Sequence, residues 1–118
     1  MAAGKEKWTR LGDGAKLELP RGVKRADEVY VSPAGIFVPG EIPLEPGQTL
    51  IARLKRGDKT IVAHAEMRRL LEPHQAAERG IPEEVAGCEL RIVRMEGDGS
   101  QVLADHIKKM LLESGGPA

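Results

Sequence analysis

Aromatic side chains are nearly absent: one Trp, one Tyr and one Phe stand in 118 residues. A core must therefore be built from Val, Ile, Leu, Ala and Met. The same scarcity leaves little platform for stacking bases, so a β-barrel nucleic-acid-binding domain ranks last among the readings and no nucleic-acid partner is expected. Net charge is missing too, since 18 basic residues balance 18 acidic ones. The overall field gives no pull toward DNA or acidic membranes, and an anionic ligand needs a local basic site. The single Cys88 excludes an internal disulfide and a Cys-based zinc site and fits a reducing compartment. No apolar run is long enough to cross a bilayer, and Met1–Arg10 is too polar for a signal peptide, so a cytoplasmic protein without membrane insertion is expected. Phosphate-binding glycine loops of the nucleotide-triphosphate or dinucleotide type are also lacking.

What is present is a succession of short alternating runs. Residues 1–14 are small and charged apart from Trp8 and Leu11 and read as a flexible arm that Trp8 can pin. Lys16-Leu-Glu-Leu19 is a first strand, Pro20–Asp27 a basic turn, and Glu28-Val-Tyr-Val31 a second strand. Ser32-Pro-Ala-Gly35 carries turn chemistry, with Pro33 fixing one dihedral and Gly35 allowing a positive one, and leads into the apolar run Gly35–Val38. Pro43, Pro46 and Gly47 hold a loop before the strand Gln48–Lys55. Gly57-Asp58 then turns the chain into Lys59–Leu70, with Ile61, Ala63, Ala65 and Met67 on one face. Glu72–Ala86 reads as an inserted loop with one or two helical turns ending at Gly80, and Gly87–Met95 as a further strand with Cys88, Leu90 and Ile92 inward. Val102, Leu103, His106, Ile107, Met110 and Leu111 recur at helical spacing before Gly115-Gly-Pro. Strands followed by one amphipathic helix imply a small all-β antiparallel barrel with a helix on one opening. The expected organisation is an arm at 1–14, a barrel domain with its helix at 15–112 and a tail at 113–118.

The residues give little support to catalysis. His106 falls on the apolar face of the last helix and His64 on an outward strand face. His74 precedes Glu78 by four residues, but two ligands rarely make a metal site, so no metal and no cofactor are expected. Cys88 faces inward and reads as a buried, inert thiol. Glu83-Glu84 sit in a loop with no sign of burial.

Several stretches together resemble a known family. Tyr30-Val-Ser-Pro-Ala-Gly-Ile-Phe-Val38, Pro43-Leu-Glu-Pro-Gly-Gln48, Leu50-Ile-Ala-Arg-Leu54, the alternating strand Ile61–Met67 and Gly87-Cys-Glu-Leu-Arg-Ile-Val-Arg-Met95 resemble, in pattern and order, a bacterial PilZ domain over roughly Ala15 to Leu112. The resemblance implies a six- to seven-stranded barrel that is not an enzyme. Many such domains bind the second messenger cyclic di-GMP through an Arg-x-x-x-Arg pair and an Asp/Asn-x-Ser-x-x-Gly motif. Guanidiniums stack on guanine and fork onto phosphate, while Ser and Gly let the backbone approach the ligand. Ser32 and Gly35 match the second motif, but Tyr30 stands where the family has Asp or Asn. Arg21-Gly-Val-Lys-Arg25 matches the first motif literally, yet only four residues separate Arg25 from Tyr30, which puts the pair in the turn between the first two strands. At the family's more usual separation lies Glu6-Lys-Trp-Thr-Arg10, where only Arg10 can serve. The ligand set implied is thus Arg10 or the Arg21/Arg25 pair over Ser32 and Gly35. The function implied is a signalling adaptor that hands a cyclic di-GMP signal to a protein partner, often in motility or surface attachment. The alternative is an adaptor of the same fold that binds protein and no nucleotide.

Overall fold

The computed structural model describes residues 8–33, 35–81 and 85–113. Eight antiparallel strands form one curled sheet: β1 (Thr9–Leu11), β2 (Ala15–Leu19), β3 (Gly22–Ala26), β4 (Val29–Val31), β5 (Gly35–Pro39), β6 (Thr49–Arg56), β7 (Lys59–Leu71) and β8 (Gly87–Met95). A short helix α1 (Pro73–Glu78) lies between β7 and β8, and α2 (Gly99–Glu113) follows β8. Spatial order across the sheet is β1-β4-β5-β8-β7-β6-β2-β3, which leaves β1 and β3 as its edges. The fold is a half-barrel with a C-terminal helix, as the alternating runs imply.

Strand count is where the expectation needs correcting: eight strands stand in place of six to seven. One addition is β3, which occupies the segment read as a basic turn. Gly22 takes a φ of +113°, so the chain reverses there and pairs Leu19 with Gly22 through Ala15 with Ala26. Charged Lys24 and Arg25 hid this strand, yet an edge strand tolerates such residues because its outer side is solvated. The other addition is β1, inside the segment read as an arm. Thr9 and Leu11 are buried and Arg10 is exposed, but three residues are too few for a period-two signal to register. The remainder of that arm, residues 1–7, and the tail from residue 114 lie outside the described residues, as do Glu83 and Glu84.

Alternation along the strands divides the buried side chains between two faces. The inner face gathers Val29 and Val31 of β4, Ile36 and Val38 of β5, and Cys88 and Leu90 of β8, together with Leu17, Leu54 and Ile61. Ala52 of β6 pairs with Ala63 of β7, and Ala65 follows, so small side chains line this part of the concave face. Val102, Leu103 and Ile107 of α2 join the same cluster. The outer face carries a second, smaller cluster. Tyr30 and Phe37, paired in register across β4 and β5, are covered by Trp8, Leu71, Ala76 and Ile81. Here α1 has its role: Pro73 begins it, the Gln75 side chain accepts from the Glu72 N–H at 2.9 Å, and Ala76 is its buried contact.

Helix α2 is fastened at its middle by His106, which is buried as its place on the apolar face implies. Its Nδ1 accepts from Arg56 Nε of β6 at 3.0 Å, and its Nε2–H donates to the Arg10 carbonyl of β1 at 3.2 Å. That arrangement requires a neutral ring. Burial lowers the His106 pKa below its ordinary value, and the Arg56 charge adds to the effect.

Candidate functional site

Ser32 and Gly35 close the β4–β5 hairpin, and both are buried. The Ser32 N–H donates to the Gly35 carbonyl at 3.0 Å, while the Gly35 N–H donates to Ser32 Oγ at 3.1 Å. The glycine is not needed for a positive φ, since Gly35 is not among the positive-φ residues. Close approach requires it instead. A Cβ at Gly35 would stand 2.9 Å from the Leu90 carbonyl of β8 and 3.3 Å from Cη2 of Trp8. The indole thus lies directly over the turn, held there by its Nε1–H donating to the Arg79 carbonyl at 3.2 Å.

Tyr30 points into the outer cluster. It is 1% exposed, with its ring centroid 6.1 Å from that of Phe37. The position at which the motif has a carboxylate or amide is therefore packed beneath Trp8 and α1. A polar group in that place would lose its hydration.

Beside Trp8 and Gly35 the outer surface opens into a groove of about 220 Å³ whose rim is formed by Arg68, Arg69, Arg79 and Arg91, with Glu89 among them. Strand register brings these side chains together. Arg91 of β8 sits opposite Gly35 of β5 on one side and Glu66 of β7 on the other, and Arg69 of β7 sits opposite Glu89. The β7–β8 ladder pairs Met67 with Leu90 and Arg69 with Glu89, so Arg68 is an extra residue at a register shift. Such a bulge breaks the alternation and re-aims the side chains around it. Glu89, whose side chain is 13% exposed, holds Arg79 Nη1 at 2.5 Å and Arg69 Nε at 3.4 Å.

The arginines singled out by motif spacing lie elsewhere. Arg10 is on β1 opposite Tyr30, pairs with Glu28, and folds its guanidinium back over Gly12. It shares the outer face with Tyr30 but does not line the arginine groove. Arg21 is in the turn before β3, where it borders an apolar cleft with Leu19, Pro20, Ile42, Pro43 and Leu44. Arg25 is on β3 opposite Lys16, in a separate cleft of about 670 Å³ that also includes Arg53 and Lys55. Arg21 and Arg25 thus belong to one edge of the sheet and Arg10 to the other. Gly35, tied to the buried Ser32, comes together with Trp8 and the arginines of β7 and β8, residues that motif spacing does not single out. Adjacent Arg68-Arg69 and the outward Glu89 and Arg91 are visible as a charged face in the sequence, but only the register brings them to Gly35.

Other chemistry is sparse. Cys88 is buried, its S–H donates to the Gly40 carbonyl at 3.5 Å, and burial pushes the thiol pKa up. Among the described residues no three His, Cys, Asp or Glu side chains gather as ligands for a metal ion. No helix among them is long and apolar enough to cross a membrane.

The class defined by this geometry is a small curled antiparallel β-sheet closed by one helix, with a cation-rimmed groove on its outer face. Among solved structures, the structure of Bacillus subtilis Inhibitor of motility (MotI/DgrA) has this fold: the TM-score is 0.65 at 15% identity, over 92% of the present chain. The chain spans 52% of that neighbour's length. No family model matches the sequence, and no curated protein matches it.

Proposed function

We propose that this protein is a non-enzymatic signalling adaptor of PilZ type that binds cyclic di-GMP and passes the bound state to a protein partner. The observation that carries the reading is the shared fold: a chain whose strand pattern resembles PilZ domains has the architecture of a motility inhibitor across 92% of its length. Gly35 supports it, lining the groove beside clustered guanidiniums, with the buried Ser32 accepting from its N–H. Signal transfer then needs only that ligand and partner prefer the same arrangement of the segment around Trp8, because a ligand shifts an equilibrium by its differential affinity for the two states.

A second reading is favoured by one observation. Tyr30 is sealed in an apolar cluster, so its side chain is not presented to a guanine edge at the surface. On this reading the fold is kept as a protein-binding adaptor and the nucleotide is lost. Titration calorimetry of the wild-type protein with cyclic di-GMP separates the two. Saturable heat supports the sensor, and its absence at high ligand concentration leaves the adaptor without nucleotide.

A further inference from the structure

We infer that the groove beside Trp8 is a phosphate-ester site, with Arg68, Arg69, Arg79 and Arg91 as its donors. This inference rests on the nucleotide reading above and deepens it: the guanidiniums for a cyclic dinucleotide come from β7, β8 and the end of α1, and not from an Arg-x-x-x-Arg pair. The four arginines fall into two kinds. Arg69 and Arg79 are oriented by the largely buried Glu89, and each guanidinium has five N–H donors, so both keep donors to offer a ligand. Arg68 and Arg91 are open to solvent at 44% and 61% exposure, and their nearest acidic partner, Glu66, lies 3.9 and 4.0 Å away. Ion pairs that long and exposed contribute little, so a phosphate can displace them.

Charge and shape agree with this assignment. Four arginines against Glu66 and Glu89 leave a local excess of two positive charges in a protein whose net charge is zero. Planar guanidiniums match phosphate oxygens in forked pairs, which a point charge on lysine does not. Gly35 lines the groove, its missing side chain making room for the indole of Trp8, the one indole of the chain, which forms the wall. A volume of about 220 Å³ suits one phosphodiester with its adjoining sugar, leaving the rest of a dinucleotide over the rim.

The test combines calorimetry with the emission of Trp8, which reports on this groove alone because no other Trp is present. Cyclic di-GMP, GMP and inorganic phosphate are titrated into the wild type and into Arg68→Ala, Arg91→Ala, the Arg68→Ala/Arg91→Ala double variant and Arg25→Ala. These side chains lie outside both apolar clusters, and thermal melts confirm that the variants are folded. We expect cyclic di-GMP to change Trp8 emission, each single groove variant to weaken binding about tenfold, and Arg25→Ala to bind as the wild type does. If the wild type binds cyclic di-GMP and the double variant binds it equally well, the groove assignment is overturned while the nucleotide reading stands. If cyclic di-GMP gives no heat but GMP or phosphate binds and is lost in the double variant, the site stands and the cyclic di-GMP reading falls. If none of the three binds, both fall.

Discussion

At the scale of single residues, Gly35 and Trp8 define each other. The glycine leaves room for the indole and for the β8 backbone at once, and neither reason is legible in the sequence, where Ser32-Pro-Ala-Gly35 reads as a turn needing a positive φ. Gly35→Ala therefore has no space to accept a methyl group: the Leu90 carbonyl 2.9 Å away is backbone inside a ladder and cannot move aside cheaply. The expected cost is about 2 kcal/mol, typical of overpacking, seen as a lower midpoint in urea denaturation; an unchanged midpoint would show that the strand crossing relaxes. Cys88 is the opposite case, since its inward place follows from alternation alone. Buried to 1% exposure with a raised pKa, the thiol should resist an aromatic disulfide reagent in the native protein and react promptly in denaturant. Fast native labelling would contradict its packing.

At the scale of elements, runs that alternate or are continuously apolar make their strands visible, down to the three residues of β4, whereas β1 is hidden by its shortness beside a charged segment and β3 by its charge. The bulge at Arg68 is equally hidden, because the run Lys59–Leu70 reads as one continuous strand and only pairing with β8 shows the extra residue. Helix α2 was legible down to its buried histidine, though not the partners that fix the ring. Those partners make its docking depend on pH. His106 is neutral in the folded protein, and a proton on Nδ1 would face Arg56, with Lys109 also disfavouring the charge and Asp13 and the Arg10 carbonyl favouring it. A histidine whose folded pKa is lowered stabilises the fold above its unfolded value and loses that contribution as pH falls. Stability should thus decline from about pH 6.5 downward. The effect levels off once the pH is below the folded value. Glu18, lowered by Arg53, and Glu96, lowered by His64, add their losses only in the more acidic carboxylate range. Denaturation of the wild type and His106→Gln between pH 7 and pH 5 checks this: the wild type should lose stability over that interval by more than the variant does.

At the scale of the whole molecule, one sheet is packed on both faces, by α2 within the curl and by α1 with Trp8 outside it. The two layers differ in depth. The inner cluster draws its buried side chains from seven of the eight strands and from α2, with Ala26 of β3 packed against it, whereas the outer one rests on a handful of side chains. Alternation made the inner layer readable in advance; the outer layer depends on a long-range meeting of residues 8, 30, 37, 71 and 81 that no local pattern encodes. The candidate site inherits that difficulty, because it is built at the margin of the outer layer.

This two-sided packing implies that the protein can shed one layer and keep the other. Native-state hydrogen exchange should find the amides of α1 and of residues 79–81 opening at a lower free energy than those of β6, β7 and β8, which open only with global unfolding. Coincident protection across all of these segments would show a single cooperative unit instead. A cover that lifts on its own would let the surface that carries Trp8, Gly35 and the arginines be remade repeatedly while the sheet beneath it stays folded.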